Sequence, residues 1–403
     1  MKAESKLAIR LGSTQIISWG SGFYIPAILA VPISQSLGIS TETFFWAFTV
    51  SLLTSGLLGP RVGRWIDTHG GRKILPVGNL FFIAGLSLLA LSQEPILLFV
   101  SWILIGIGGS MGNYDAVFAT AVGFFGEKSN QVIAGITVLA GLSSTIAWPI
   151  TSALNENFDW RVAVLFWAVA HLVIALPLHL TIPREKVKEV TLLTGPIKKI
   201  LKGGFRLDLV VIIFAVMFAL EGFIVSAVNT TLPLLLTQLG ASSQLALLAA
   251  VILGPSQVLA RVLMVALGKR SSPILVAAIS IAAHPLGVLL VLFFGVNALI
   301  PFVILHGIGV GLNPIIRGTL PLLFFGAQSY GQRQGYVMML SKIVSAFSPL
   351  LLTLMVLSDP TTAIVATFLM GTVAALLLVW LSSIHRIRQR AELNVSAASS
   401  LEG

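Results

Sequence analysis

The sequence predicts an all-α polytopic membrane protein with twelve transmembrane helices arranged as two parallel six-helix repeats. Three observations carry that prediction. Of 403 residues, 56% are hydrophobic and 10% charged, with mean hydropathy +0.96, whereas roughly a quarter of a soluble domain is charged. The basic residues alternate from one side of the apolar runs to the other. Residues in the second half also repeat those of the first at a fixed offset.

The apolar runs place helices at about 12–35, 43–62, 73–91, 96–120, 131–154, 162–181, 208–236, 244–267, 273–294, 298–322, 334–357 and 361–384. Each is long enough to cross about 30 Å of hydrocarbon as a helix, and too uniformly apolar for alternating barrel strands. Lysine or arginine occurs in every one of the connections 61–73, 121–130, 182–207, 268–272 and 323–333. None occurs in 36–42, 92–95, 155–160, 237–243, 295–297 or 358–360. That asymmetry predicts both termini in the cytoplasm and an integral protein of a bacterial inner membrane. It also argues against nucleic acid as the reason for the net charge of +10, because the charges sit in loops between spans.

Along the chain, the first run carries Gln15, Ser18, Trp19, Gly20, Ser21, Gly22 and Tyr24. This small, polar face reads as cavity-lining. The segment Gly59 to Lys73 is a charged island in which Asp67 is the one acid among Arg61, Arg64, Arg72 and Lys73. The fourth run ends its glycine series with Asn113, Tyr114 and Asp115, and the fifth holds Gly141 and Pro149, with a bend expected at Pro149. Residues 182–207 form the long basic linker, with an amphipathic helix conceivable around Leu192 to Leu201. The organisation expected is a helical bundle over 1–181, the linker 182–207, a second bundle over 208–384 and a cytoplasmic tail over 385–403. The tail from Ala391 on is read as disordered and is given no function.

At an offset of 200, Gly109, Asn113, Phe124, Phe125 and Gly126 match Gly309, Asn313, Phe324, Phe325 and Gly326. Gly135, Pro149 and Arg61 match Gly335, Pro349 and Arg261. The matched spans run in the same orientation, so the repeats are related by an axis along the membrane normal.

With these features the chain resembles the major facilitator superfamily of transporters over nearly its whole length. The superfamily signature Gly-x-x-x-Asp-(Arg/Lys)-x-Gly-Arg-(Arg/Lys) is met by Gly63, Asp67 and Gly70. Thr68 and Gly71 depart from it, and Arg72 and Lys73 follow one residue late. The resemblance implies that Asp67, with Arg64 and Arg72, latches the cytoplasmic side in the outward-open state. A looser similarity to oxalate:formate-type and monocarboxylate-type members rests on Trp19 to Tyr24 and on cations in spans eight and eleven. It implies substrate binding by Arg261 and Lys342.

Ionised groups inside spans are expensive and face the bundle interior or water. Five stand out: Asp115, Glu221, Arg261, Arg317 and Lys342. Arg261 and Lys342 suit a carboxylate, with Tyr24, Trp19 and Asn313 as further substrate-binding candidates. Glu221 is a candidate proton carrier or a counter-ion for one of the cations, and Asp115 and Arg317 are candidate gating residues. His284 and His306 are expected to be neutral, each bonded to a neighbouring carbonyl.

The chain has no cysteine, and its histidines lack metal-ligand spacing. No cofactor, metal or enzymatic constellation is expected, and no nucleotide-binding glycine loop offers ATP as energy source. The function anticipated is secondary active transport of a small organic anion, by proton coupling or exchange. The alternative is proton-coupled export of a neutral or cationic toxic solute, with Asp115 and Glu221 as recognition acids. The partners anticipated are a small molecule, membrane lipid and protons, and the chain is expected to act as a monomer.

Overall fold

The computed structural model describes residues 3–183, 207–267 and 272–399, and every regular element among them is a helix. Ten stretches there are long and apolar enough to cross a membrane. Two of them, Pro95–Asn157 and Pro273–Phe325, hold 63 and 53 residues. At about 1.5 Å per residue each is far too long for one crossing. Each folds back at a glycine with left-handed φ, Gly126 and Gly295, both at +57°. The ten stretches therefore contain twelve crossings.

In chain order the helices are α1 Ala3–Ser36, α2 Thr41–His69, α3 Gly71–Leu91, α4 Pro95–Gly112 with Tyr114–Phe125, α5 Asn130–Ala140 with Ser143–Asn157, and α6 Trp160–Leu180. The second half follows as α7 Leu207–Gln238, α8 Ser243–Leu267, α9 Pro273–Phe294, α10 Leu299–Phe325, α11 Tyr330–Ser358 and α12 Pro360–Ser399. The tail expected to be disordered from Ala391 instead continues α12 to Ser399. Its Ala, Glu and Leu residues are good helix formers, and no Gly or Pro interrupts them. Most of the linker and the α8–α9 connection lie outside the described residues, and with them the amphipathic helix considered near Leu192.

The repeat is visible in the packing. Within the first half α1 packs on α5, α2 on α4, and α3 on both α4 and α6. Within the second, α7 packs on α11, α8 on α10, and α9 on both α10 and α12. Close approach depends on small residues, as expected where lipid removes the hydrophobic drive between helices. Gly106 lies on the backbone of Ser51 and Gly311 on that of Gln257, so any side chain there would collide.

Four irregularities were not anticipated. The charged island is helical: α2 continues through Arg61 and Arg64 to His69, and Gly70 alone, at φ 79°, turns the chain into α3. Helix α4 breaks at Asn113, whose backbone is extended. Helix α5 breaks at Gly141 and Leu142, ahead of Pro149 rather than at it. Helices α1 and α6 contain π-helical turns at Gly20–Tyr24 and His171–Ala175.

Candidate functional site at the junction of the halves

The halves meet mainly through one side of the molecule. Helix α2 packs along α11, Tyr114–Phe125 packs against α10 and α11, and Asn130–Ala140 packs against α8 and α10. Pro95–Gly112 and Ser143–Asn157 pack chiefly within their own half. The junction is therefore closed on the face carrying Arg61, Arg64, Arg72, Lys128 and Arg333, here called the basic face, and looser toward the opposite face.

Asp67 anchors that closure. Its two carboxylate oxygens accept the backbone N–H groups of Gly331 and Gln332, each at 2.8 Å. These are orphan donors of the first turn of α11. The N-cap residue of α11, Ser329, sits at φ 51° and its side chain makes no cap. Asp67 thus caps, from the other half, a helix that does not cap itself. Gly63 makes room for this approach, since a Cβ there would overlap the Gly331 carbonyl. Arg64 and Arg72, grouped with Asp67 from sequence, are exposed and form no ion pair with it among the described residues. The cation that faces Asp67 is Arg333, which also donates to the Phe325 carbonyl.

Nearer the membrane centre, Lys342 Nζ of α11 lies 2.7 Å from Asp115 Oδ2 of α4. Lys342 passes Gly56 of α2, whose missing side chain leaves it space. Arg317 of α10 and Gln334 of α11 also face Asp115. Arg317 Nε donates to Met338 Sδ at 3.2 Å, and Gln334 Nε2 donates to the Arg317 carbonyl at 2.7 Å.

Arg261 is placed differently. It is 7% exposed, and its Nε donates to the Gly311 carbonyl at 2.8 Å. Its Nη1 rests against Gly141, at the break in α5. Among the described residues it pairs with no acid. Tyr24 and Tyr114 lie within electrostatic reach of it, and Ser144 lies beside the Tyr24 hydroxyl. Trp19 meets Tyr114 in a tilted contact at 5.0 Å between ring centroids and donates Nε1–H to Gln15 Oε1 at 3.2 Å. Tyr24 meets Trp148 edge-on at 5.7 Å.

Trp19, Tyr24 and Arg261 therefore share one region, and Asp115, Lys342 and Arg317 another. Tyr114 lies between them, because both Arg261 and Arg317 reach it. Glu221 and Asn313 sit beside each other. Both are buried, and Glu221 Oε1 and Asn313 Nδ2 have no hydrogen-bond partner among the described residues. The counter-ion of Lys342 is Asp115 and not Glu221. Sequence reasoning did not nominate Tyr114, Trp148, Gln334 or Arg333. Adjacency to Asp115 was the available signal for Tyr114.

The histidines form two buried networks. Ser21 Oγ and His171 Nε2 share a hydrogen bond at 2.8 Å, and His171 Nδ1–H donates to Asn79 Oδ1 at 2.9 Å. Asn79 Nδ2 donates to His179 Nδ1 at 2.6 Å, and His179 Nε2–H donates to Thr14 Oγ1 at 2.9 Å. With Asn79 Nδ2 as donor, His179 Nδ1 must accept, so His179 is neutral in this network. The chain ties the two π-turns of α1 and α6 to α3. In the second half His284 and His306 bond to each other through Nδ1 at 2.9 Å, and His306 Nε2 meets Asn229 Oδ1 at 3.2 Å. They partner side chains, not the carbonyls expected, because both face the inside of the bundle.

The family profile described as Major Facilitator Superfamily matches residues 11–349. Two curated relatives from Mycobacterium tuberculosis strains, each described as an uncharacterized MFS-type transporter EfpA, are 28% identical over 144 residues. That match covers 34% of this chain and 26% of theirs, so the chain spans about a quarter of the relatives' length. Among solved structures, the proton:xylose symporter XylE superposes with a TM-score of 0.71 at 14% identity, covering 93% of this chain and 94% of that one. The human organic anion transporter MFSD10 gives 0.70 at 13%, covering 94% and 100%. FucP, in an outward conformation, gives 0.67 at 14%, covering 92% and 97%. One fold thus serves a sugar and an organic anion, and the substrate does not follow from it.

Proposed function

The chain belongs to the Major Facilitator Superfamily, and from that premise we propose that it is a secondary active transporter of a small carboxylate-like anion. It works by alternating access, with proton coupling or exchange as the driving force. The bundles 1–181 and 208–384 rock about a site between them, joined by the linker 182–207. The basic face is cytoplasmic, the membrane is a bacterial inner membrane, and one chain suffices for the path.

One observation carries this reading. Arg261 is a buried cation at the junction, held by a carbonyl, without an acid partner among the described residues. A guanidinium in that setting offers its remaining N–H groups to a planar carboxylate. Tyr24, Trp19 and Tyr114 supply aromatic and hydroxyl surface around it. Lys342 is the second cation, available once Asp115 releases it. The competing reading, export of a neutral or cationic solute, has one feature in its favour: Glu221 is buried with an unpartnered oxygen. Arg261, Arg317 and Lys342 outnumber Asp115 around the junction, which disfavours a cation there.

The test is substrate-induced thermal stabilisation of purified protein over a panel of carboxylates and cationic drugs. Carboxylates stabilise the wild type, and Arg261→Lys weakens that binding about tenfold or more, because the planar fork is lost. If only cations bind, and Arg261→Gln leaves their binding intact, the anion reading fails.

A further inference from the structure

The Asp115–Lys342 pair joins α4 of one half to α11 of the other at the level of the site. Its side chains are 16% and 21% exposed, so it borders the junction and is not sealed in a core. Two demands fall on it. A substrate carboxylate that uses Lys342 must displace Asp115. Opening of the basic face must also draw Asp115 away from Lys342 and Arg317, both of which belong to the other half.

We propose that Asp115 is the proton-coupling group of this transporter: it gives up Lys342 to the substrate carboxylate only as it takes a proton itself. This rests on the carboxylate reading above. The exchange balances. Before binding the site holds one ammonium and one carboxylate. Afterwards it holds the same ammonium, the substrate carboxylate and a neutral carboxylic acid, with the proton taken from water on the open side. The charge of the site is unchanged, so anion and proton enter as one neutral load. An ionised Asp115 would instead have to leave two cations as the halves part, at a steep cost in a low dielectric. The surroundings of Asp115 support this assignment over Glu221. Its charged and titratable neighbours are Lys342 and Tyr330 of α11, Arg317 of α10 and the adjacent Tyr114, with Gln334 beside them. Helices α1, α2, α3 and α5 bring no charged side chain to it among the described residues. Glu221 bridges no halves, since its neighbour Asn313 lies in its own half.

Binding of acetate, glycolate and fumarate is measured by thermal stabilisation between about pH 6 and about pH 8, where all three are ionised. Wild-type affinity rises about tenfold per unit of acidification, the signature of one proton per anion. Asp115→Asn, which mimics the protonated acid, binds with an affinity that does not change with pH. A pH-independent wild type, or a pH slope that survives in Asp115→Asn, overturns the proposal. If none of the three carboxylates stabilises the protein, the carboxylate reading falls, and a second measurement still decides the role of Asp115. The chain has no cysteine, so spin labels at Glu127→Cys and Gln328→Cys report separation of the halves on the basic face. Asp115→Asn shifts that distance distribution outward, and an unchanged distribution overturns the proposal on its own.

Discussion

Replacing Asp67 by Asn tests whether the contact on the basic face holds the halves together or only marks topology. Asp67 accepts two N–H groups at 2.8 Å, and both belong to the uncapped start of α11. Hydrogen bonds to a charged group are worth about 1.5–3 kcal/mol each. An amide keeps one acceptor oxygen but turns an NH2 toward the second N–H. The substitution therefore removes about one such bond, plus about 0.3–1 kcal/mol of charge–dipole attraction at the helix start. A net loss of about 2 kcal/mol is a factor of about 30 in the equilibrium between closed and open basic face.

Three readouts separate the explanations. The yield of inserted protein stays at the wild-type level, because Arg61, Arg64, Arg72 and Lys73 still supply the positive charge that sets orientation. The distance between labels at Glu127→Cys and Gln328→Cys moves toward longer values. Transport per inserted molecule falls, because a state needed in each cycle is depopulated. Lost insertion with normal turnover per inserted molecule would return Asp67 to a purely topological role. An unchanged label distance would refute the cap as a latch.

Gly141→Ala places a methyl group where Arg261 Nη1 now rests. The obstacle is the mobile end of a side chain, so the protein folds normally while anion-induced stabilisation drops about tenfold, the loss of one good contact. Asn79→Leu removes the link between His171 and His179 and leaves two buried nitrogens unpaired. Stability falls by about 2 kcal/mol in a denaturation experiment, given about 1–2 kcal/mol for an interhelical bond in a membrane.

Much of the architecture was legible because lipid imposes it. Long apolar runs must be helices, and basic residues collect on one side, so the crossings and their alternation follow from composition and charge. The repeat was legible from matched glycines and prolines, and it reappears in the packing of α1 on α5 and α7 on α11. The pairings were not legible. Asp115 and Lys342 sit on helices from opposite halves, and nothing in either segment marks the other. Arg64 and Arg72 were grouped with Asp67 because they are close in sequence. On a continuous helix, Arg64 lies three residues before Asp67 and points toward solvent, while the partners come from α11. The breaks at Asn113 and Gly141 escaped because Asn and Gly are tolerated inside helices, and Pro149 looked the stronger breaker.

Those two breaks explain how opposite charges are held at the junction of the halves. Interrupting α4 at Asn113 starts a new helix, and Asp115 lies in its first turn, where the dipole favours an anion. Interrupting α5 at Gly141 ends Asn130–Ala140, and Arg261 lies against that end, where the helix dipole favours a cation. Each charge is thus partly supported by the backbone, Asp115 in addition to its partner Lys342 and Arg261 without an acid partner among the described residues. The consequence differs for the two cations. Lys342 is neutralised by Asp115, whereas Arg261 keeps its positive charge over carbonyl dipoles that cannot cancel it. On the proposed carboxylate reading, an arriving anion engages Arg261 first and Lys342 second. It follows that losing Arg261 abolishes capture, whereas losing Lys342 leaves capture and frees Asp115 from its main partner. The order of these events is set by where two helices stop, not by which residues are charged.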